Sequence, residues 1–331
     1  MFKFEPIYKE LIWGGHELLP FQGLPADDRI IGESWVLSDV EENESIVSKS
    51  FMGPEGLDES GKTIDELIAR YDAKLLGDSV KKKYGKTFPI LVKFIDAQDD
   101  LSIQVHPNDE LAMQRHHSFG KTEMWYVVDA KPGAYLYSGF SHKITSEEYV
   151  QRVADHTIVE VLQRYNVKAG DVFFLPAGRV HAIGKGCLIA EIQQTSNITY
   201  RIYDYDRRDA NGNRRELHTE LAKDAIDYKV YPDYRTHYVI DTKSRFQEIK
   251  LVKCKHFTTQ LIISKATSVH AFNAGSFIIY TCLAGKAEII NNFDYKMNIR
   301  QGEALLLPAT TNFLTIRADS SVKLLETVIE E

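Results

Sequence analysis

The chain has 331 residues, 44% of them hydrophobic, which is enough for one large domain or two ordinary ones with real cores. A net charge of −7 runs against the basic face that nucleic-acid binding needs, and no apolar run approaches the roughly 18 residues of a membrane span. Three scattered cysteines give no disulfide framework, and no apolar core follows the N-terminal Met1-Phe-Lys-Phe-Glu-Pro, so the expectation is a soluble cytoplasmic protein.

Taken in chain order, Thr63-Ile-Asp-Glu66 is a capping box that predicts a helix running to about Leu76, with Leu67, Ile68, Tyr71 and Leu75 on one stripe. Strands are expected over 89–95 and 101–105, and Asn108 caps a short helix over 109–116. A strand over 124–128 and a helix from Ser146 to about Val153 come next. Further strands are expected over 157–161, 172–175, 188–192 and 199–205, with helical spacing over 217–226. The rest reads as strand over 258–264, 277–283, 287–290, 304–307 and 322–328. Many short strands at close spacing predict a mainly β protein of sandwich or barrel type with small helical insertions. The stretch from Asp204 to Asn213 has some likeness to a calcium loop, but Asn211-Gly212 after an alternating strand reads more simply as a hairpin turn.

One pattern occurs twice. Gly170-Asp-Val-Phe-Phe-Leu-Pro-Ala-Gly-Arg-Val-His181 returns at 302–313 as Gly-Glu-Ala-Leu-Leu-Leu-Pro-Ala-Thr-Thr-Asn-Phe. A repeated glycine, apolar strand and proline turn marks one supersecondary unit used twice. His181 in the first copy becomes Phe313 in the second, so the first copy is expected to do chemistry and the second to pack. Leu305, Leu307 and Phe313 are expected to fill the second unit, with no metal bound there.

In Leu101-Ser-Ile-Gln-Val-His106, alternation puts Leu101, Ile103 and Val105 on one face and Ser102, Gln104 and His106 on the other. A polar row ending in an imidazole inside a small β unit is costly unless something satisfies it. Glu123 opens the next strand and His181 follows the proline turn. Two imidazoles, a carboxylate and an amide oxygen from three strands suit a divalent metal. The alternative for either histidine alone is a core position with a backbone partner.

The run Gly170–His181 fits the second signature of the cupin superfamily up to the histidine, with Lys185 in place of the closing asparagine. Gln104-x-His106 with the later Glu123 is an altered form of the first signature, and it resembles the class I mannose-6-phosphate isomerases. Pro89-Ile-Leu-Val-Lys-Phe, Gly120-Lys-Thr-Glu-Met-Trp-Tyr, Tyr200-Arg-Ile-Tyr-Asp-Tyr-Asp-Arg and Ile12-Trp-Gly-Gly are similar to the short bacterial members. The resemblance implies two cupin jelly-roll barrels, a catalytic one over 1–240 and a degenerate one without metal over 241–331. It implies one zinc per chain on Gln104, His106, Glu123 and His181, and catalytic roles for Arg201, Glu191 and Lys121. Lys93, Lys121, Ser102 and Arg201 are the implied substrate-binding residues.

The implied reaction interconverts mannose 6-phosphate and fructose 6-phosphate through a cis-enediol, with Glu191 or Lys121 as base. The implied partner is a phosphorylated hexose, with no nucleic acid or membrane, and the chain acts as a monomer or homodimer. Two other readings are a metal-dependent cupin oxygenase, using His106, Glu123 and His181 as a facial set, and a non-catalytic sugar-binding cupin. The first leaves the Gln-x-His and Tyr-Arg-Ile-Tyr-Asp runs unexplained. The second would tolerate loss of Arg201 and the ligands, which this chain retains.

Overall fold

A computed structural model describes residues 1–208, 212–272, 275–318 and 320–330. The chain is mainly β, as expected, and forms two pairs of facing sheets. In the first pair, a five-stranded sheet runs in the order Leu162–Asn166, Tyr135–Phe140, His181–Ile183, Ile103–Val105, Tyr200–Tyr203. It faces a seven-stranded sheet ordered Arg235–Thr236, Val172–Leu175, Glu123–Ala130, Cys187–Gln194, Ile90–Ala97, Ile31–Leu37, Ile7–Gly15. The second pair sets a seven-stranded sheet against a four-stranded one made of Ser268–Ala271, Phe313–Arg317, Lys286–Asn291 and Lys296–Arg300. Two N-terminal strands, Phe2–Phe4 and Val47–Ser50, complete that second seven-stranded sheet, where Phe2 pairs with Leu306. No helix among the described residues is long and apolar enough to cross a membrane.

Alternation along the strands sorts the side chains into cores. On Ile90–Ala97 and Cys187–Gln194, Ile90, Val92, Phe94, Ala190 and Ile192 turn to the largest apolar cluster. That cluster also takes Leu261, Ile279, Leu306 and Leu325 from the second pair of sheets, so it joins the two halves. The opposite face of the first pair carries Lys93 and Glu191 inward beside Ile95, Trp125 and Ile189. The space between the second pair is largely apolar, filled by Ile289, Ile299, Leu305, Leu307, Leu314 and Leu324, with Glu326 buried on the same face and accepting from Tyr280 Oη and Gln260 Nε2.

Several sequence expectations need correction. The helix from Thr63 has its capping box but stops at Tyr71, where Asp72 takes a φ of 51°, and Ala73–Leu76 resumes separately. Residues 157–161 are not a strand; Ile158–Val161 is a 3₁₀ turn, and the two buried residues Ile158 and Val161 lie three apart, the period of that helix. Leu101 precedes the strand and packs with Trp13 and Trp125, whereas Ile103 and Val105 pack with the helices outside the five-stranded sheet. Phe313 is 46% exposed and fills nothing, while its neighbour Leu314 is fully buried. The turn expected at Asn211-Gly212 falls partly on residues 209–211, outside the described residues, with Arg208 and Arg214 bridged across it.

Candidate metal centre and active site

Hydrogen-bond register brings the polar residues of the first pair of sheets into two facing rows. On the five-stranded sheet, Ser138 pairs with His181, His181 with Gln104 and Gln104 with Arg201. On the seven-stranded sheet, Trp35 pairs with Lys93, Lys93 with Glu191 and Glu191 with Trp125. Directly opposed residues on one face stand about 4.5–5.5 Å apart at Cβ, so each row is a contiguous stripe of side chains. A cavity of about 580 Å³ lies between the rows, lined among others by Ser102, Gln104, Lys93, Lys121, Glu191 and Arg201.

Behind Gln104 and Lys121 of the cavity wall, His106, Glu123 and His181 converge, all buried, with one ligand atom from each inside a 4.8 Å group. His181 Nε2 lies 3.2 Å from Glu123 Oε1, and His106 Nε2 lies 3.5 Å from Glu123 Oε2. The Nδ1 atoms face backbone carbonyls, His106 that of Ile198 at 2.9 Å and His181 that of Arg179 at 2.8 Å. A carbonyl only accepts, so the ring proton sits on Nδ1 and Nε2 turns a lone pair inward. Glu123 Oε1 is buried with no hydrogen-bond partner. Two inward lone pairs beside an unsatisfied carboxylate oxygen fit a divalent cation. Gln104 Nε2 lies 3.4 Å from His181 Nε2, so its amide faces the same space.

The electrostatics agree. Burial pushes the His106 imidazole well below its ordinary range, helped by the charge of Lys121. Burial likewise brings His181 down to about 3. Both rings are therefore neutral at physiological pH, the form that ligates metals. Burial and the charge of Glu191 push Glu123 up to about 7, against the pull of Lys121. Lys121 Nζ donates to Glu123 Oε2 at 2.5 Å and lies 3.0 Å from His106 Nε2.

Beside the triad, Glu191 is the ionised member of the buried pair of carboxylates. Burial would raise it, but Lys93 and Lys121 outweigh that and hold it at about 2. Lys93 Nζ sits 3.0 Å from Glu191 Oε1 and 3.2 Å from Glu33 Oε1, and the two charges keep its ammonium protonated against burial. Trp125 Nε1 donates to Glu191 Oε2 at 2.7 Å.

Arg201 occupies the other end of the His181–Gln104–Arg201 row. Its Nη1 donates to the Glu216 carbonyl at 3.0 Å, while Nε is buried without a partner. Burial, and then the neighbouring charge of Arg215, disfavour its cation. Arg215 lines the same cavity and is held by two bonds to Asp204, which also takes Arg207. Ser102 and Lys93, the residues implied to bind substrate, line the cavity, but Lys93 is committed to two carboxylates.

Sequence reasoning missed Glu33, Ser138 and Arg215. Glu33 and Ser138 come into place only through strand pairing, which linear spacing does not show. The surplus of arginines in Arg207-Arg208 and Arg214-Arg215, flanking one turn, was the readable signal for the last.

Residues 1–133 match the family described as phosphomannose isomerase type I, catalytic domain. The chain is similar to mannose-6-phosphate isomerase ManA of Bacillus subtilis, 35% identical over 309 residues and covering 92% of each chain. It is 34% identical over 299 residues to a mannose-6-phosphate isomerase of Streptococcus mutans, covering 90% of this chain and 89% of that one. A crystal structure of mannose 6-phosphate isomerase from Bacillus subtilis superposes with a TM-score of 0.85 at 29% identity, over 98% of both chains.

Proposed function

The chain belongs to the type I phosphomannose isomerases, and from that premise we propose that it interconverts mannose 6-phosphate and fructose 6-phosphate at the cavity between the two polar rows. The observation that carries this is the run His181–Gln104–Arg201 across three paired strands. It spans two strand spacings, about 9–10 Å, the scale on which a six-carbon chain separates its reacting carbonyl from its 6-phosphate.

His106, Glu123 and His181, with Gln104 beside them, hold one divalent ion, and zinc suits their nitrogen and oxygen donors. When bound, that ion supplies Lewis acidity to the sugar oxygens at C1 and C2. Glu191 is buried and faces the cavity, ion-paired through Oε1 to Lys93 and bonded through Oε2 to Trp125 Nε1, and in this reading it takes the proton that moves between C2 and C1 by way of the cis-enediol. The two lysines hold the Glu191 carboxyl below its ordinary range, so proton abstraction by it relies on charge stabilisation at the sugar oxygens. Lys121 bridges the triad and Glu191, placed to balance charge as the proton moves. Ser102 lies along the sugar on the cavity wall.

The phosphate lies at the opposite end. Lys93 is engaged by Glu33 and Glu191 and Lys121 by Glu123; of the remaining cavity cations, Lys9, Arg201 and Arg215, this reading gives the dianion to Arg201 and Arg215, which lie together beside Asp204. Arg201, Arg207 and Arg215 share a half-buried neighbourhood in which Asp204 is the nearest compensating charge, and an anion relieves that repulsion. In this reading the catalytic unit lies within residues 1–240, apart from the strands Phe2–Phe4 and Val47–Ser50, which complete the sheet of a second unit formed mainly by 241–331 and without metal.

The test is isomerase turnover by metal-replete protein, for wild type and Glu191→Gln. Wild type should produce fructose 6-phosphate from mannose 6-phosphate with no organic cofactor. The variant should lose about 10²–10⁴-fold in kcat. Absence of wild-type turnover would leave a sugar-phosphate-binding protein instead.

A further inference from the structure

Lys121 and Glu123 can meet the two histidines only if the three residues leading into the Glu123 strand are held still. Those residues, 120–122, follow a helix that ends at His117 in the left-handed region, φ 52°. Their backbone N–H groups all find fixed acceptors. Gly120 N donates to Asp109 Oδ1 at 3.0 Å, Lys121 N to the Pro107 carbonyl at 3.1 Å and Thr122 N to Gln194 Oε1 at 2.9 Å.

The two side-chain acceptors are themselves joined. Gln194 Nε2 donates to Asp109 Oδ1 at 2.8 Å, so that oxygen receives two donors. Gln194 N also donates to the Thr122 carbonyl at 3.1 Å, which fixes Thr122 from both sides. Gln194 is 3% exposed and closes the strand that carries Glu191 three residues earlier, so one strand sets both the base and the clamp. A Cβ at Gly120 would come within 2.5 Å of the Asn108 and Asp109 backbone, so this approach is packed without slack.

We propose that Asp109 and Gln194 are positioning residues, a clamp that sets where Lys121 and Glu123 stand against His106 and His181. The inference rests on the functional reading above but assigns these two residues a role it does not contain. The second half of the chain braces the clamp. Lys255 Nζ lies 3.5 Å and His256 Nε2 3.8 Å from Asp109 Oδ2, and Lys83 Nζ anchors the Lys255 carbonyl at 2.8 Å. A misplacement of about 1 Å at a catalytic group can cost about 10²-fold in rate, so a clamp of this kind has kinetic weight.

Three variants test it, Asp109→Ala, Asp109→Asn and Gln194→Leu. The readouts are amide hydrogen exchange, cobalt(II) affinity by titration, and the kcat and KM of the zinc-loaded enzyme. Asp109→Asn keeps an Oδ1 acceptor and should behave within about threefold of wild type. Asp109→Ala and Gln194→Leu should weaken cobalt(II) binding and lower kcat by about 10–100-fold, with KM changed much less. Exchange should accelerate at 120–122 while the strands keep their protection.

Wild-type cobalt(II) affinity and wild-type protection at 120–122 in Asp109→Ala and Gln194→Leu overturn the proposal. So does an Asp109→Asn protein as impaired as Asp109→Ala, or exchange accelerated throughout the chain. Exchange and cobalt(II) affinity are read without turnover, so a wild type that failed to isomerise the sugar would sink the proposed function and leave the clamp to be judged separately.

Discussion

The two copies of the glycine, apolar strand and Pro-Ala frame end in side chains that face opposite ways. His181 opens its strand pointing between the sheets, paired with Gln104 and Ser138. Phe313 occupies the same place after Pro308, pairs with Ala271 and points outward, while Leu314 takes the inward position. Because side chains alternate on a strand, a slip of one residue exchanges the faces. The first unit holds a neutral histidine pair, two carboxylates and two lysines in its interior. The second holds leucine, isoleucine and methionine in the corresponding space, around the buried carboxylate of Glu326, held by Tyr280 and Gln260. One frame therefore serves two purposes, and the face that the first strand residue takes decides which.

Changes in the polar interior should be felt in chemistry. Replacing His106 and His181 together by alanine should abolish stoichiometric metal binding and with it turnover, the largest effect expected. Metal analysis beside an isomerase assay checks it, and full occupancy in the double variant breaks the contrast between the units. Arg201→Ala should keep metal and fold, since a guanidinium is no metal ligand, yet lower kcat/KM by about 10²–10³-fold through the lost phosphate contact. Arg201→Lys should recover little of this, because a point charge does not span two oxygens as a planar fork does. Steady-state kinetics on the two variants separates charge from geometry.

Changes in the apolar interior should be felt in stability. Leu314→Ala removes a fully buried side chain and should cost about 2–5 kcal/mol in denaturant unfolding, with kcat near wild type. Arg215→Ala should act on binding, raising KM about tenfold with a smaller change in kcat if its charge meets the phosphate in ground and transition states alike. Phe313→Ala is the smallest, within about 1 kcal/mol, since the ring is 46% exposed. A loss at Phe313 as large as that at Leu314 would erase the facing difference between the two copies.

Much of this was legible in the sequence. The strands Val172–Leu175, Thr258–Ser264, Ala304–Leu307 and Val322–Val328 fall where apolar runs between turn residues place them. The alternation Gln104-Val-His106 and the separate Glu123 and His181 give a site that the fold assembles. What escaped depends on the third dimension. The strand Ile31–Leu37 is broken by Gly32, Glu33 and Ser34, and only its pairing with Ile90–Ala97 shows why Glu33 and Trp35 sit by Lys93. Phe313 misled because linear alignment of the two copies matches residues and cannot see which face a strand presents. Asp109 read as part of a helix start, and its bonds to Gly120 and Gln194 come from the return of distant chain.

The His106–Glu123–His181 triad is proposed to make the first unit a metal-dependent isomerase. Turnover of mannose 6-phosphate by protein stripped with a strong chelator, and then titrated with zinc, measures this directly. Turnover should vanish on stripping and return in proportion to added ion, saturating at about one equivalent per chain. Undiminished turnover in metal-free protein, or none at full occupancy, would rule out a metal role for the triad.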